Sequence, residues 1–531
     1  MAKIYYITTP LYYVNAPPHI GHSYTTVAAD CLARFQRSKG AEVFLLTGTD
    51  EHGQKIAQAA QAAGQMPQLF VDQMMGRYAA LWKLLNISHD DFIRTTQPRH
   101  MTAVQAILAR LHEAGQLTRA SYRGWYCTPD ETFWTEAELA DAAGGTPTCP
   151  ACRRALEPVT EEGWHLPLRG AQGWLRQFAK SHRAFVRPES RYNEVCSLLE
   201  SPLPESLCIT RPKSRVPWGI PVSFDPDCVT YVWFDALLNY ITVPGYVDDP
   251  ARFAQLWPVD VHFIGKDILR HHAVYWPIML HALGLSDEQM PRMIFAHGWW
   301  KIGEQKMSKS LGNIVDPSVM IGVVLKGQPY AADVYRYFLL RDVPFGQDGN
   351  FSEDAVLARL QADLGNDLGN LVHRTLSMLA RYSDGAIPDA GGGPGCAVAD
   401  EPLRQHAVGL ADVVEEAMRA LDFSTALATI MRVVSEANRY IESQAPWQLA
   451  KAGHRARLNG VLYTLAEVIR ICAVVLESFM PSVADAMWRQ LGLGTAPRRF
   501  EDARRWAVLA AGRPIGTPQV LFPKREASAA A

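Results

Sequence analysis

The sequence predicts an α/β protein: a doubly wound domain with an inserted subdomain, followed by an all-α bundle. Short apolar runs alternate with longer amphipathic runs over residues 1–117, as expected for strands and helices of a doubly wound sheet. Over 118–211 turns, aromatic residues and close-set cysteines replace that alternation. From Asn350 onward, apolar residues recur at helical spacing.

The first segment contains two strand-like runs. Lys3–Pro10 precedes a helix-like run over Ser23–Ser38, and Val43–Leu46 is a continuous apolar run typical of a buried parallel strand. Ligands of such sheets bind beyond the carboxyl ends of the strands. The other expected helices of this segment are Gln54–Ala63, Pro67–Leu85 and His100–Ala114.

Three polar residues fall at those strand ends: His19, His22 and Asp50. Two prolines precede His19 and exclude regular structure there, and Gly21 allows close approach of a ligand to the backbone. The start of a helix with two imidazoles suits phosphate. The alternative is a capped helix start with one buried histidine.

The inserted segment carries two cysteine-containing knuckles. Cys127 is followed by Asp130, and Cys149 by Cys152, which is the layout of a tetrahedral structural Zn²⁺ site. A carboxylate oxygen can ligate zinc, so a set of three thiolates and Asp130 fits. The alternative is a knuckle that folds without metal. The remaining cysteines are scattered, which argues against a disulfide framework.

The second half of the sheet is expected over 212–298. Val229–Phe234 and His262–Ile264 are strand-like, and Phe295–Gly298 closes another strand. A glycine-rich loop, Gly391–Gly395, separates two helices of the C-terminal region. The helices expected there are Ala355–Leu379, Leu403–Leu421, Ser424–Ser443 and Arg455–Met480.

Length and composition set broader limits. At 531 residues the chain is too long for one core, so three or four domains are expected. We expect no membrane partner and a cytoplasmic location, because no apolar run approaches a membrane span and the N-terminus leads into a strand. The formal net charge of −2 neither supports nor excludes a nucleic-acid partner, so any such partner must be held by a local basic face.

A second basic motif, Lys306-Met307-Ser308-Lys309-Ser310, suits a mobile loop that closes over polyphosphate, although a lysine and serine cluster alone is usually a solvated loop. With the His19–His22 motif it resembles the paired signatures of class I aminoacyl-tRNA synthetases. The surrounding segments resemble the methionyl-tRNA synthetase family in particular: Thr47–Gly53, Val232–Ala236, Phe263–Asp267 and Ala445–Trp447.

This resemblance implies activation of methionine by ATP with Mg²⁺, followed by transfer to tRNA(Met). The catalytic residues implied are His19, His22, Lys306 and Lys309. His19 and His22, together with Gly21, would contact ATP, and Lys306 and Lys309 would hold its β- and γ-phosphates. The remaining ATP-binding residues implied are Gly265 and Asp267 at the ribose and His297 and Gly298 at the adenine. Asp267 by itself could equally cap a helix.

The resemblance also implies a methionine pocket, in which Asp50 binds the α-ammonium group. Aromatic, polarisable walls suit a thioether, although ordinary core is the commoner fate of each aromatic residue. Leu237 departs from the proline of another subgroup of the family, so the shape of the pocket can differ. The other implied pocket residues are Leu11, Tyr13, Trp233, Ala236, Tyr240 and His272.

For the C-terminal region the resemblance implies anticodon binding by Asn370, Arg374 and Trp447, with Trp447 as a stacking platform. The alternatives are a helix-start staple for Trp447 and a solvated face for Arg374. We expect a monomer. The domains implied are two halves of a Rossmann-type catalytic domain (1–117 and 212–298), an inserted connective subdomain with the zinc knuckle (118–211), a lysine-loop and stem-contact connector (299–349), and a helical anticodon-binding domain with its tail (350–531).

Two rival functions stay open at this point. One is a catalytically silent paralogue that binds tRNA, although such proteins usually lose some of the catalytic residues that this chain keeps. The other is a class I synthetase for another amino acid, such as cysteine or a branched aliphatic residue. The aromatic pocket residues and the lack of a large editing insertion argue against the second.

Overall fold

The computed structural model of the chain describes residues 3–139, 147–150, 152–302, 305–306, 315–389, 398–495 and 498–524. Its described residues form two compact units. The first comprises those within Met1–Pro18, Glu42–Trp82 and His89–Gly298, and the second those within His19–Ala41, Lys83–Ser88 and Trp299–Ala531. The domain boundaries given above stay predictions.

The first unit is built on a parallel sheet, as the sequence predicts. Six strands are described in it, and their order is Asp91–Arg94, Val43–Asp50, Tyr5–Tyr13, Val261–Gly265, Ile294–His297 and Val186–Arg187. The sequence order reverses between Tyr5–Tyr13 and Val261–Gly265, where Ile7 pairs with Val261. Ligands of open α/β sheets bind beside such a reversal.

The first strand is longer than the expected run Lys3–Pro10, since it continues to Tyr13. Pro10 has no N–H for the ladder, and the pairing with the neighbouring strand shifts register between Thr8 and Leu11. This irregularity lets the strand pass the proline, and its last residues reach the carboxyl edge of the sheet.

The inserted segment of the first unit forms a sheet of four described antiparallel strands, Thr132–Trp134, Thr118–Cys127, Glu157–Pro167 and Ser206–Cys208. A smaller antiparallel sheet follows, with strands Pro221–Val222, Asp225–Thr230 and Thr210–Pro212. The α-helices of this unit are Gln54–Ala62, most of Pro67–Leu84, Pro98–Glu113, Arg169–Ser181, Glu189–Glu200, Val232–Thr242, Pro250–Leu256 and Trp276–Ala282. Shorter turns are the 3₁₀ segments Glu136–Leu139, Lys266–Ile268 and Asp287–Gln289 and the π-helical His271–Tyr275.

One expected strand is wrong. The run Val229–Phe234 was expected to be a single strand, but the strand ends at Thr230 and the helix Val232–Thr242 begins two residues later. Its β-branched and aromatic residues indicate a strand by composition. The helix is nevertheless apolar on nearly all sides because it is buried in the core of the first unit, so periodicity could not separate the two structures.

The second unit is mainly helical. Its α-helices are Ile20–Ser38, Pro317–Val319, Ala331–Arg341, Glu353–Arg359, Asn370–Tyr382, Glu401–Arg419, Phe423–Gln444, Pro446–Lys451, Arg455–Leu476 and Pro481–Gln490. It also has the π-helical Met320–Val324 and Leu360–Gly369, the 3₁₀ turns Val398–Asp400 and Phe500–Arg504, and the strands Trp300–Ile302, Gln305–Lys306 and Gly349–Asn350. The expected glycine-rich loop Gly391–Gly395 lies outside the described residues.

A buried arginine places the helix Ile20–Ser38 in the second unit. The Arg336 guanidinium, fully buried, donates to Asp30 Oδ2 at 2.7 Å and to the Phe479 carbonyl at 2.9 Å. Burial opposes the charge of Asp30, but Arg336 and Arg34 outweigh it and lower the pKa of Asp30 to about 2. A paired, buried charge of this kind specifies one arrangement of the helices that supply its partners.

The expectation that no apolar run approaches a membrane span is wrong for one helix. Of the described helices, Arg455–Leu476 is long and apolar enough to cross a membrane, but 94% of its apolar window is buried inside the protein. It packs against its neighbours in the bundle, and its charged pair Glu467–Arg470 is fully buried at 2.7 Å. These contacts are those of a core helix in the bundle.

Candidate active site

The carboxyl ends of the central strands bring predicted site residues into register. Tyr13 pairs with Asp50 across the first two strands. Gly265 pairs with His297 across the next two. The sheet therefore positions these four residues through backbone pairing alone, at the edge where ligands of this fold bind.

Asp50 is an unusual buried acid. It is 7% exposed, and among the described residues no group donates a hydrogen bond to its Oδ1. Burial, and after it the negative charges of Asp235 and Glu131, raise the pKa of Asp50 well above its ordinary value. A buried carboxyl oxygen without a donor is costly, so this position is suited to a ligand that brings a cation.

Asp235 is the contrasting acid of the same unit. It is fully buried between His52 Nδ1 at 2.7 Å and His100 Nε2 at 2.8 Å. Burial opposes its ionisation, but the two imidazoles prevail and lower the pKa of Asp235. The charge of Asp235 then adds to the negative field at Asp50. No role for Asp235, His52 or His100 was expected from the sequence.

The predicted aromatic walls lie on two helical segments of the first unit. Trp233, Ala236 and Tyr240 are spaced to share one face of Val232–Thr242. The Trp233 ring stacks on His271 with centroids 3.8 Å apart, and Leu11, in the central strand, packs against the core of this unit. His271 was not expected here from the sequence; it is buried, and its Nδ1 has no hydrogen-bond partner in the described structure.

His272 is held as a neutral ring. Its Nδ1 donates to the Ile268 carbonyl at 3.0 Å, so Nε2 accepts the Tyr240 hydroxyl at 2.9 Å. Burial lowers the pKa of His272 to about 4. A neutral ring hydrogen-bonded to a tyrosine offers a polar but uncharged wall, which suits a thioether better than a charge does.

The predicted adenosine-side residues follow the next two strands. Gly265 precedes the turn Lys266–Ile268, and a Cβ at Gly265 would lie 2.6 Å from Asp267 Oδ1. A side chain at Gly265 would displace this carboxylate, and Asp267 lies inside the turn instead of capping it. His297 donates from Nδ1 to the Gly298 carbonyl at 2.8 Å, and burial lowers the pKa of His297.

The predicted phosphate-binding histidines lie in the second unit and cap a helix. The helix begins at Ile20, earlier than the expected Ser23, because His19 Nδ1 accepts the Gly21 N–H at 3.1 Å and His22 Nδ1 accepts the His19 N–H at 3.0 Å. Each neutral ring therefore carries its proton on Nε2. A Cβ at Gly21 would lie 3.0 Å from the His19 ring, so glycine admits this folded-back imidazole.

The lysine motif is described only in part. Lys306 is the last residue of the strand Gln305–Lys306, whose partner is Trp300–Ile302. Lys309 lies outside the described residues. The roles assigned to these two lysines stay predictions.

The four predicted metal ligands converge. The sulfur atoms of Cys127, Cys149 and Cys152 and a carboxylate oxygen of Asp130 all lie within 4.8 Å of one another. Asp130 Oδ2 is 3.2 Å from Cys149 Sγ, and Cys127 Sγ is 3.5 Å from Cys152 Sγ. Burial and Asp130 raise the pKa of Cys152 to about 11. Three thiols and a carboxylate at this spacing fit a tetrahedral Zn²⁺ ion, which would take the thiols as thiolates.

The predicted anticodon-binding residues lie together in the helical bundle. Arg374 pairs with Glu442 at 2.7 Å, and its guanidinium lies 6.0 Å from the centroid of the Trp447 ring. Trp447 is 40% exposed, which is unusual for so large an apolar side chain. Asn370 donates to Asn438 at 3.2 Å. Trp447 also borders an open cavity of about 620 Å³ whose other lining residues include Arg381, Tyr382, Lys451 and Arg455.

Comparison with known proteins gives matches along nearly the whole chain. The family described as tRNA synthetases class I (M) matches residues 5–376, and the anticodon binding domain of methionyl tRNA ligase matches residues 389–530. The methionine–tRNA ligase of Caldanaerobacter subterraneus is 45% identical over 526 residues, covering 99% of this chain and 79% of the relative. The methionine–tRNA ligase of Bacillus subtilis is 40% identical over 538 residues, covering 98% of this chain and 78% of the relative.

A solved structure gives the same result. The methionyl-tRNA synthetase of Mycobacterium tuberculosis in complex with methionyl-adenylate superposes with a TM-score of 0.91 at 39% identity, covering 98% of this chain and 100% of that one. The predicted fold class, a Rossmann-like catalytic domain followed by a helical anticodon domain, is therefore confirmed.

Proposed function

The chain belongs to the methionyl-tRNA synthetase family of class I, and on this premise we propose how its residues join methionine to tRNA. The enzyme is a methionine–tRNA ligase that activates methionine with ATP and then transfers it to tRNA. In the first step the methionine carboxylate attacks the α-phosphate and expels pyrophosphate. Both reactants are anionic, so catalysis consists mainly of positioning and electrostatic stabilisation.

Methionine binding is assigned to the first unit. The single observation that carries this proposal is the buried Oδ1 of Asp50, which has no hydrogen-bond donor in the described structure. The α-ammonium group of methionine supplies the missing donor and the missing positive charge together. The neutral Tyr240–His272 pair and the Trp233 ring are assigned to the thioether, with Leu11, Tyr13 and Ala236 as further walls.

ATP is assigned to residues that can meet its separate parts. Nε2–H donors of His19 and His22 suit the phosphate oxygens, and Lys306 and Lys309 suit the β- and γ-phosphates. The ribose and adenine are assigned to Gly265, Asp267, His297 and Gly298. Mg²⁺ accompanies ATP and is held mainly by phosphate oxygens, so no carboxylate of the chain is assigned to it.

Amino-acid-dependent exchange of labelled pyrophosphate into ATP, run with each of the twenty amino acids and without tRNA, tests this function. We expect exchange with methionine far above the rest. Exchange with another amino acid would retain the class I reaction and discard the pocket assignment. No exchange from folded protein with Mg²⁺ would favour a catalytically silent paralogue that binds tRNA.

Zinc is the metal we propose for the four converging ligands, with a structural role. A carboxylate in place of a fourth thiolate makes such a site weaker and more sensitive to acid. Asp130→Cys is therefore expected to retain about one Zn²⁺ per chain at chelator concentrations that strip the wild type. Metal content by elemental analysis and the thermal midpoint Tm measure the effect.

The loss-of-ligand variant for the same site is Cys149→Ala, and Cys196→Ala is its control because Cys196 lies outside the cluster. We expect Cys149→Ala to lose zinc and to lower Tm, whereas the control changes neither. Unchanged metal content and Tm in Cys149→Ala would contradict a zinc site at these residues.

Anticodon binding is assigned to Asn370, Arg374 and Trp447. An exposed indole beside a guanidinium and a cationic cavity can stack an unpaired base and hold its phosphate. Recognition of tRNA(Met) in particular, a monomeric state and action in the cytoplasm also stay proposals. A tRNA ligase must meet its substrate where proteins are made, which supports the last of them.

Trp447→Ala is expected to lower kcat/KM for tRNA in aminoacylation by roughly 5- to 150-fold, because stacking one base is worth about 1–3 kcal/mol. Pyrophosphate exchange without tRNA should not change, because this step needs no anticodon. Val508→Ala, at a residue equally exposed in the same unit, is the control. Equal losses in exchange and aminoacylation would assign Trp447 to folding and not to tRNA.

A further inference from the structure

Glu131 is a buried acid of the inserted segment that the reaction outlined above does not use. It is 4% exposed and accepts three hydrogen bonds. Its Oε1 accepts the Lys55 backbone N–H at 2.7 Å and the Tyr13 hydroxyl at 3.1 Å, and its Oε2 accepts the Tyr126 hydroxyl. All three partners donate, so the carboxylate acts as an acceptor for groups from three separate parts of the chain.

The backbone around Glu131 is equally specific. Its φ of +49° lies in the left-handed region, which is unfavourable for a residue with a side chain and persists only where surrounding contacts hold it. The Tyr231 hydroxyl donates to the Glu131 carbonyl. Gly53 leaves room for the side-chain contact, because a Cβ there would lie 2.7 Å from the Tyr13 hydroxyl and 3.0 Å from Glu131 Oε1.

Two side chains that we assign to the walls of the methionine pocket are in contact with the turn Asp130–Glu131. The single O–H of Tyr13 is shared between two acceptors, the His52 carbonyl at 2.8 Å and Glu131 Oε1 at 3.1 Å. On the other side, Trp233 Nε1 donates to the Asp130 carbonyl at 3.3 Å. The turn Asp130–Glu131 of the inserted segment therefore contacts both aromatic rings, although neither of its residues belongs to the predicted pocket.

We propose that Glu131 is a positioning residue for methionine binding, which acts by holding the Tyr13 ring in place opposite Asp50. This inference rests on the proposed function. Hydrogen bonding to Glu131 and His52 fixes the ring before substrate arrives, so less conformational freedom is lost on binding. The hydrogen bonds described for Glu131 involve Lys55, Tyr13 and Tyr126, which are not assigned to adenosine, so we expect its substitution to leave ATP binding unchanged.

The test measures KM for methionine and KM for ATP separately in pyrophosphate exchange. Glu131→Ala should raise KM for methionine by roughly 10- to 100-fold, as expected for loss of hydrogen bonds to a charged group, and leave KM for ATP within about twofold. Glu131→Gln should restore most of the affinity, because its amide oxygen still accepts from Tyr13 and Lys55. Glu162→Ala, an exposed acid of the same inserted sheet, is the matched control.

A double-mutant cycle with Tyr13→Phe tests whether Glu131 acts on methionine binding through the Tyr13 hydroxyl. If Glu131 acts through the Tyr13 hydroxyl, Glu131→Ala should have much less effect on KM for methionine in the Tyr13→Phe background. An equal effect in both backgrounds, parallel rises in both KM values, or no change in Glu131→Ala would overturn the proposal. If the wild type gives no pyrophosphate exchange with methionine, the proposed function fails, whatever the result for Glu131. Measurement of Tm and near-UV circular dichroism identifies a variant that is misfolded.

Discussion

Asp50→Asn will lower kcat/KM for methionine in pyrophosphate exchange by roughly 10²- to 10³-fold, because truncating one partner of a buried charge pair costs about 2–5 kcal/mol. The substitution keeps the shape of the side chain and removes only the charge and one acceptor. The loss should fall mainly on KM for methionine and leave KM for ATP nearly unchanged. Asp91→Asn, in the adjacent strand and paired with Arg99, is the control.

The pH dependence has a defined sign. Because burial and neighbouring acids raise the pKa of Asp50, its carboxyl group keeps its proton to a higher pH than an ordinary aspartic acid does, and only the ionised form can pair with the ammonium group. KM for methionine in the wild type should therefore fall as pH rises through that pKa, whereas Asp50→Asn should give a flat profile. A sloping profile that survives in the Asn variant would assign the titration to another group.

Stability should change in the opposite direction to activity. An acid whose pKa is raised in the folded state stabilises the fold only when protonated, so its contribution is lost as pH rises above the unfolded value of about 3.9. Asp50→Asn removes this pH-dependent loss of stability. Its Tm should therefore exceed that of the wild type near neutral pH, and the difference in Tm should disappear in acid. The ionisable carboxyl group of Asp50 is therefore kept for binding the ammonium group of methionine, although it lowers the stability of the fold.

The sequence predicted the parallel sheet and the cluster of candidate metal ligands because both depend on local patterns. Short apolar runs followed by polar residues locate strand ends, and two knuckles supply ligands whatever lies between them. The resemblance assigned Asp50 to the α-ammonium group, but no role for Asp235 followed from the sequence, because the partners of Asp235 lie far away in the chain. The sequence also contained no sign of a role for Glu131, whose contact with Tyr13 spans 118 positions. Val232–Phe234 was predicted to be a strand because a helix that is buried on nearly all sides has almost no polar face.

His19 shows how two interpretations of one motif can both hold. The structure makes it the cap of Ile20–Ser38, as the plainer interpretation of the motif suggests, and ATP binding is the role that we propose for it. The two roles use different nitrogen atoms. The cap needs an acceptor at the Nδ1 position, and phosphate needs a donor at the Nε2 position, so a single substitution can remove one role and keep the other.

His19→Asn retains the acceptor, because the Asn side-chain oxygen can take the Gly21 N–H and asparagine is a preferred cap. It removes the Nε2 donor. Tm should therefore stay at the wild-type value while kcat for exchange falls by about 10²- to 10³-fold, the cost of removing one preorganised donor to a developing negative charge. KM for methionine should change little.

His19→Gln is the complementary variant. Its amide nitrogen can reach the Nε2 position but leaves the Gly21 N–H without an acceptor, so it should lower stability by roughly 0.5–2 kcal/mol and lose less of kcat than His19→Asn. Full activity in His19→Asn would make His19 a cap and nothing more. We therefore expect His19→Asn to have the higher Tm and His19→Gln the higher kcat. Only a ring with both roles gives this opposite ranking, because a purely structural histidine would lose activity in proportion to stability.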